Sequence, residues 1–176
     1  MKPHASAAVF LFSVATLLAG CGYHLVGASS SLPPQLKKLY VTPFVNRTDK
    51  AELDQRLTEQ VTQEWVRRGR FQLVSSSDQA DAVLSGTVVA AIVSPVQFDQ
   101  QGRATEYQLT VTTDVKLIDR TSEKPVTLWH EANFQLSTSY PVNTNIADYF
   151  DRSVEAMDRL ARDYARNLVV TVLEGF

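Results

Sequence analysis

The chain has 176 residues, a formal net charge of −2 and a single cysteine. This length suits one domain with a sizeable hydrophobic core, and the weakly acidic balance argues against a nucleic-acid binder or a protein held to anionic membranes by charge. One thiol cannot supply an intramolecular disulfide framework, so packing alone must hold the fold.

Residues 1–20 have the organisation of a secretory signal peptide. Lys2 precedes an apolar run over residues 7–18, which is shorter than the roughly 20 apolar residues that a membrane-spanning helix needs. Leu-Ala-Gly-Cys at positions 18–21 resembles the bacterial lipobox, in which the cysteine is lipidated and becomes the first mature residue. Since the only cysteine of the chain stands there, we expect a lipid anchor at Cys21 rather than an ordinary signal cut near a cysteine.

An anchor of several acyl chains would tether the protein permanently, because each buried methylene contributes about 0.8 kcal/mol. The residue after the cysteine is Gly22 and not aspartate. By resemblance to enterobacterial lipoproteins, this favours the outer membrane over retention in the inner one. Residues 21–34 contain serine and proline runs without apolar periodicity, so we interpret them as a tether and assign residues 35–176 to one domain.

A strand and a helix open this domain. Lys38–Val45 is rich in β-forming residues, but Pro43 lacks an amide donor and either places this strand at an edge or ends it nearby. The helix covers Asp49–Arg68, with apolar residues at every fourth position from Leu53 to Trp65. A capping box is expected at its start.

A short strand over 71–74 and three long strands follow. Residues 82–98 form the first long strand, which is apolar on both faces near its middle and is therefore expected to be central. The second, up to Leu117, and the third, from Val126, alternate between apolar and polar residues, which predicts one buried and one open sheet face. His130 falls on the predicted buried face, where a core or rim residue is the expected role.

The other face of this sheet is polar but poor in charge. Its residues are Gln108, Thr110 and Thr112 on the second long strand and Thr127, Trp129, Glu131, Asn133, Gln135, Ser137 and Ser139 on the third. One interpretation is an ordinary solvated face. The other is a surface that docks in a polar, confined place, because charges are costly to desolvate and tryptophan is a favoured interface residue. The candidate interface residues are Thr110, Thr112, Trp129, Gln135 and Ser137.

Residues 144–173 form a second amphipathic helix, with apolar residues at spacings of three and four from Ile146 to Val172. Ion pairs such as Asp158–Arg162 are expected on its solvated side. Two amphipathic helices and a sheet with one apolar face predict a two-layer α+β domain, in which both helices cover that face.

Catalytic and cofactor motifs are missing from the sequence. It contains no P-loop, no dinucleotide-binding glycine motif, no His-Glu-x-x-His pair and no nucleophile elbow. After removal of the signal, only His24 and His130 remain as histidines, too few for a histidine-rich metal site. We therefore expect a protein that is not an enzyme and that holds neither a cofactor nor a metal.

Three short segments carry a resemblance to a known family. They are Cys-Gly-Tyr-His-Leu at 21–25, Leu-Tyr-Val at 39–41 and Gly-Arg-Ala-Thr-Glu-Tyr-Gln at 102–108. With the lipobox and the order of elements, they make the chain similar to the LptE family of lipopolysaccharide-assembly lipoproteins. The resemblance implies two helices on a mostly antiparallel sheet of about four strands. It also implies a plug inside the outer-membrane β-barrel LptD, which assists assembly of that barrel and binds lipopolysaccharide.

Lipopolysaccharide carries phosphates, which arginine can bind with two parallel hydrogen bonds. Arg103 is the first candidate, because the tip of its hairpin shares an end of the sheet with residues 140–145. Arg120 and Lys124, in the opposite turn, are second candidates. The alternative for each is an ordinary exposed turn residue.

The opening strand, helix and strand are also similar to lipoproteins that regulate cell-wall synthases or form part of a secretion apparatus. Those proteins usually continue the α/β alternation, whereas long hairpin strands follow here, which favours the barrel plug. A lipid carrier would need a deep apolar pocket, and the sequence has no apolar surplus that predicts one.

Overall fold

The structure is a computed structural model that describes residues 32–142 and 146–175, with the backbone alone at 146–151. The predicted signal peptide, Cys21 and most of the tether lie outside the described residues. The elements are β1 Lys38–Val41, β2 Val45–Asn46, α1 Leu53–Arg68, β3 Gln72–Leu73, β4 Ala82–Phe98, β5 Ala104–Asp119, β6 Val126–Pro141 and α2 Ile146–Glu174. Neither of these described helices combines the length and the apolarity needed to cross a membrane.

One mixed sheet contains the six described strands in the order β3-β1-β4-β5-β6, with β2 also paired to β4. β1 is parallel to β3 and β4, and β2 is parallel to β4. β4, β5 and β6 form two long antiparallel ladders. The two-layer α+β prediction is confirmed, and the strand number is six rather than about four because short parallel strands join the sheet beside β4.

The predicted strand over 38–45 is interrupted near Pro43. β1 ends at Val41 and β2 begins at Val45, as expected around a residue with no amide donor. β1 is not an edge strand, because it lies between β3 and β4. The contact with β4 continues just past β1, where the Thr42 amide donates to the carbonyl of Leu84 (2.9 Å).

α1 packs its predicted apolar stripe into the core. The fully buried members are Leu53, Leu57, Val61 and Trp65. The helix ends at Arg68, as predicted, and Gly69 follows in the left-handed conformation (φ 64°) with its amide bonded to the carbonyls of Trp65 and Val66. Gly69 therefore closes the last turn as a C-cap.

The predicted capping box does not form, and α1 begins at Leu53 rather than at Asp49. Asn46 organises the preceding turn instead: its Oδ1 accepts from the Thr48 amide (2.9 Å) and its Nδ2 donates to the carbonyl of Lys50 (2.7 Å). Glu52 precedes the helix in a left-handed conformation (φ 62°) without a side-chain cap bond. The side-chain bonds of Asn46 compete with helical backbone bonds and delay the start of the helix.

α2 follows its prediction closely, although residues 144 and 145 lie outside the described part of the chain. Its buried positions include Ala161, Tyr164, Leu168 and Val172, as predicted. Val154 was predicted on the same face but is 42% exposed. Among the described side chains of α2, the buried ones begin at Ala156.

Tyr164 of α2 joins the helical layer to the sheet. Thr113 Oγ1 donates to the carbonyl of Phe134 (3.2 Å) and lies 2.7 Å from the Tyr164 hydroxyl, which is then the donor to Thr113. The Tyr164 ring packs edge-on against Phe134 and Phe44. Burial raises the pKa of Tyr164, so its phenol stays neutral, and the buried polar pair is satisfied.

Two register shifts between β5 and β6 reverse the faces to which the side chains in part of β6 point. Trp129 pairs with Leu117 on the helix side of the sheet and packs against Phe134, with ring centroids 6.5 Å apart. His130 pairs with Lys116 on the opposite side. The predictions of an outward Trp129 and an inward His130 were therefore wrong, because an extra residue at each bulge breaks the two-residue alternation.

Gly86→Ala is expected to destabilise the fold because the ring of Phe44 covers this glycine. A Cβ at position 86 would come within 2.2 Å of Phe44 Cε1, and the Phe44 amide is itself held by Thr58 Oγ1 (2.9 Å). Displacing a buried ring should cost about 1–3 kcal/mol of unfolding free energy. Chemical denaturation measures this, with Ser85→Ala as the control on the neighbouring position.

Gly86→Ala in a Phe44→Ala background tests whether the Phe44 ring causes this loss of stability. There Gly86→Ala should cost much less, because the ring is gone. Equal costs in the two backgrounds would contradict this account of the contact.

Asp81→Asn is expected to remove a pH-dependent part of the stability. The Asp81 carboxylate accepts from the Lys37 and Lys38 amides (both 2.8 Å), and these backbone bonds hold the pKa of Asp81 below its usual range. Because the folded-state pKa is lowered, the contribution is present above the unfolded pKa near about 4 and is lost as the pH falls through the folded value. We expect a loss of about 1 kcal/mol near pH 7, modest because Asp81 is partly exposed.

Denaturation of the wild type and Asp81→Asn between neutral and acid pH measures this difference. The two free energies of unfolding should converge in acid. A difference that stays constant over that range would contradict the assignment to the charged carboxylate.

Candidate functional site

The candidate site is the face of β4, β5 and β6 that points away from α1 and α2, here called the open face. Cross-strand pairing places three rows of residues on it: Ala90–Thr112–Gln135, Ile92–Thr110–Ser137 and Ser94–Gln108–Ser139. No described helix covers these rows. The central part of the open face therefore carries hydroxyl, amide and small apolar groups and no charge.

Four of the predicted interface residues lie together on the open face. Thr110 pairs with Ser137 and Thr112 pairs with Gln135. The hydroxyls of Thr110 and Ser137 are 2.8 Å apart. These residues thus form two neighbouring rungs, while Trp129, the fifth candidate, belongs to the helix side.

β4 contributes an exposed apolar residue that the sequence analysis did not assign to this face. Ile92 pairs with Thr110, which places it on the open face, and it is 57% exposed. Phe98 is 59% exposed at the end of β4, beyond two register shifts. β1 and β2 pair only with residues 82–88 of β4, so beyond Val88 no other described strand follows this edge. β4 is central in the strand order, as predicted, but its residues 89–98 have a described strand neighbour only on the β5 side.

A signal for this open half was present in the sequence. Pro95 cannot donate to a strand neighbour, and such residues are typical of sheet edges. The preceding candidate strand, 38–45, was also too short to flank a strand of 17 residues. Register shifts near Val89 and Val96 further protect the edge against pairing with another strand.

A small charged cluster lies on this side of the sheet, at the end opposite to the β4–β5 hairpin tip. His130 Nε2 lies 2.9 Å from Asp114 Oδ1, and Lys116 Nζ lies 3.9 Å from Asp114 Oδ2. The His130 side chain is 40% exposed. His130 is therefore a surface residue in a small charged cluster, whereas the sequence predicted a core or rim residue on the buried face.

Arg103 stands at the tip of the β4–β5 hairpin and is positioned by Asp99. The Asp99 carboxylate accepts from the amides of Arg103 and Gln101 (2.9 Å each) and from Arg103 Nε (2.8 Å). The Arg103 amide is the largest cause that lowers the pKa of Asp99, with its guanidinium contributing further. The Arg103 side chain remains 62% exposed, so a cation is held at the tip and is open to solvent.

The structure separates the three candidate cations. Arg120 and Lys124 follow the far end of β5, which has 16 residues and so spans about 50 Å. They cannot share one small ligand with Arg103. Val142 lies at the Arg103 end, as predicted, since its amide donates to the carbonyl of Thr105 (2.9 Å); residues 143–145 lie outside the described part.

Metal ligands are not assembled in the described residues, where no group of three or more His, Cys, Asp or Glu side chains could hold an ion.

Solved structures resemble this fold at low sequence identity. The hypothetical protein CT253 from Chlamydia trachomatis is 13% identical, with a TM-score of 0.56 over 80% of this chain and 97% of that chain. The uncharacterized lipoprotein B from Nitrosomonas europaea is 16% identical, with a TM-score of 0.54 over 86% of this chain and 90% of that one. These likenesses concern the fold alone.

A search of curated proteins finds no match. The family model described as LptE, lipopolysaccharide-assembly, matches residues 36–172, which includes every described strand and nearly all of both helices. The chain therefore belongs to the LptE family of lipopolysaccharide-assembly proteins.

Proposed function

We propose that this protein is a lipid-anchored outer-membrane lipoprotein that plugs an LptD-type β-barrel, assists its assembly and binds lipopolysaccharide during delivery to the outer leaflet. Family membership supports the role in lipopolysaccharide assembly and the absence of enzymatic activity. The observation that carries the plug role is the open face, three uncharged rows across β4, β5 and β6 that no described helix covers.

The composition of the open face suits the inside of a large barrel. Such a lumen is polar and lined with water, so a partner must exchange hydrogen bonds with it. Hydroxyl and amide groups such as those of Thr110, Gln135 and Ser137 can do this without the cost of stripping water from a charge. Ile92 adds apolar contact area within the same face.

The lipid anchor belongs to this proposal. Residues 1–20 act as the signal, Cys21 carries the acyl chains, and residues 21–34 tether the domain over residues 35–176. Anchoring confines the domain to the membrane of the barrel and raises its effective concentration there. A role in regulating a cell-wall synthase or in secretion is less favoured, because β4, β5 and β6 are consecutive antiparallel strands rather than a continued α/β alternation.

Lipopolysaccharide binding is assigned to the hairpin tip. Asp99 fixes the Arg103 backbone and Nε, which leaves the outer part of the guanidinium exposed for phosphate oxygens. Phe98, 59% exposed on the adjoining end of β4, offers an apolar neighbour. Arg120 and Lys124 remain second candidates at the opposite turn.

Purification of the anchored protein from membranes in mild detergent should yield a large β-barrel in near-equal amount. Gln135→Lys with Ser137→Lys should reduce the amount of barrel several-fold, because two charges would have to be desolvated in the interface. Ser122→Lys with Gln79→Lys adds the same charge outside the open face and should leave it unchanged. The barrel is identified by mass spectrometry.

Failure of any large barrel to accompany the wild type would contradict the plug role. If the barrel comes with both lysine pairs in equal amount, the plug role stands but the open face is not its contact surface.

Arg103→Glu should weaken lipopolysaccharide binding by about tenfold or more, since a charge-assisted contact is replaced by repulsion. The melting temperature should change little, because an exposed ion pair contributes little stability. Arg120→Glu is the control with the same charge change in the other turn. Binding that depends on Arg120 and not on Arg103 would move the site to the opposite end of the sheet.

A further inference from the structure

We propose that a groove between α1 and α2 is a binding site for a phosphate-class anion. The groove is a cavity of about 110 Å³ in the helical layer. Its lining residues are Gln60, Glu64 and Arg67 of α1 and Arg162, Ala165 and Arg166 of α2. It is separate from the open face and from Arg103, and the proposal does not depend on the proposed function.

α1 and α2 run parallel to each other, and the groove lies between them. Arg56 of α1 is paired with Asp158 of α2, and further along both helices the groove is lined by residues 60–67 and 162–166. The ion pair between Arg56 and Asp158 joins the helices on the N-terminal side of the groove. Ala165 is buried and small, which leaves space between the longer side chains that surround it.

Glu64 is a buried carboxylate at the floor of the groove, and it holds two arginines in place. Its residue is 3% exposed, and its carboxylate accepts from Arg67 Nη1 and Arg68 Nε, both at 2.8 Å. A buried carboxylate requires such partners, so Arg67 is fixed by the fold rather than free in solvent. The two guanidinium groups exceed the charge of Glu64, and the Arg67 side chain remains 67% exposed beside the cavity.

Arg162 supplies a cation that forms no ion pair with an acidic side chain within the described part of the chain. The sequence predicted a pair with Asp158, but that carboxylate turns to Arg56 on the other helix. Arg166, the third guanidinium at the groove, is paired with Asp163. The sum of these charges around the cavity is positive.

Three guanidinium groups beside one small concavity suit a tetrahedral anion with several oxygens. Arginine presents a planar fork of donors that matches phosphate oxygens in pairs, and Arg67 is already oriented by Glu64. The ligand class is a phosphate group, either as the free anion or as a lipid headgroup.

Isothermal titration calorimetry of the full-length protein in a non-ionic detergent tests this site with inorganic phosphate. Wild type should bind saturably, and Arg162→Ala should weaken binding by at least about tenfold. Arg162→Lys keeps the charge but loses the fork, and we expect an intermediate affinity. Arg152→Ala removes an exposed arginine from the same helix, outside the groove, and should bind like the wild type.

A second titration uses short-chain phosphatidylglycerol below its micelle concentration. If phosphatidylglycerol binds and phosphate competes with it, the lipid headgroup is a ligand. If phosphate binds and the lipid does not, the ligand is the free anion. Both outcomes support the site. No saturable phosphate binding by the wild type, or equal losses in Arg162→Ala and Arg152→Ala, would overturn it.

Discussion

β4 is the strand on which the rest of the structure depends, because it is paired on both edges over only part of its length. From Ala82 to Val88 it lies between β5 and the parallel strands β1 and β2, and its inward side chains fill the core. Beyond Val88, β5 is its only described neighbour. One strand thus builds the core at one end and an open three-stranded sheet at the other, and at the core end the ring of Phe44 packs directly on Gly86.

The two faces of the sheet formed by β4, β5 and β6 differ in which side chains they expose to solvent. The helix side takes the aromatic residues, including Trp129, Phe134 and Tyr164, because their large apolar area is best buried. The open face keeps hydroxyl and amide groups with Ile92 among them. A surface of this kind loses little charge hydration when it is covered and still offers hydrogen bonds, which is why it suits a water-lined partner.

Carboxylates orient several of the arginines that line the proposed sites or join the helices. Asp99 holds Arg103 at the hairpin tip, Glu64 holds Arg67 beside the helical groove, and Asp158 holds Arg56 between the helices. The last of these pairs crosses from α1 to α2 and so leaves Arg162 to face the groove. The lipopolysaccharide contact proposed at the tip and the phosphate site proposed in the groove therefore involve separate arginines.

Local periodicities of 3.6 or 2 residues are enough to predict the two-layer architecture, the buried stripe of α1 and the shared face of Thr110, Thr112, Gln135 and Ser137. They do not predict the side on which Trp129 and His130 lie or the partner of Asp158. These features depend on bulges between paired strands and on an ion pair between helices, which involve residues far apart in the chain. No local pattern of side chains records such contacts.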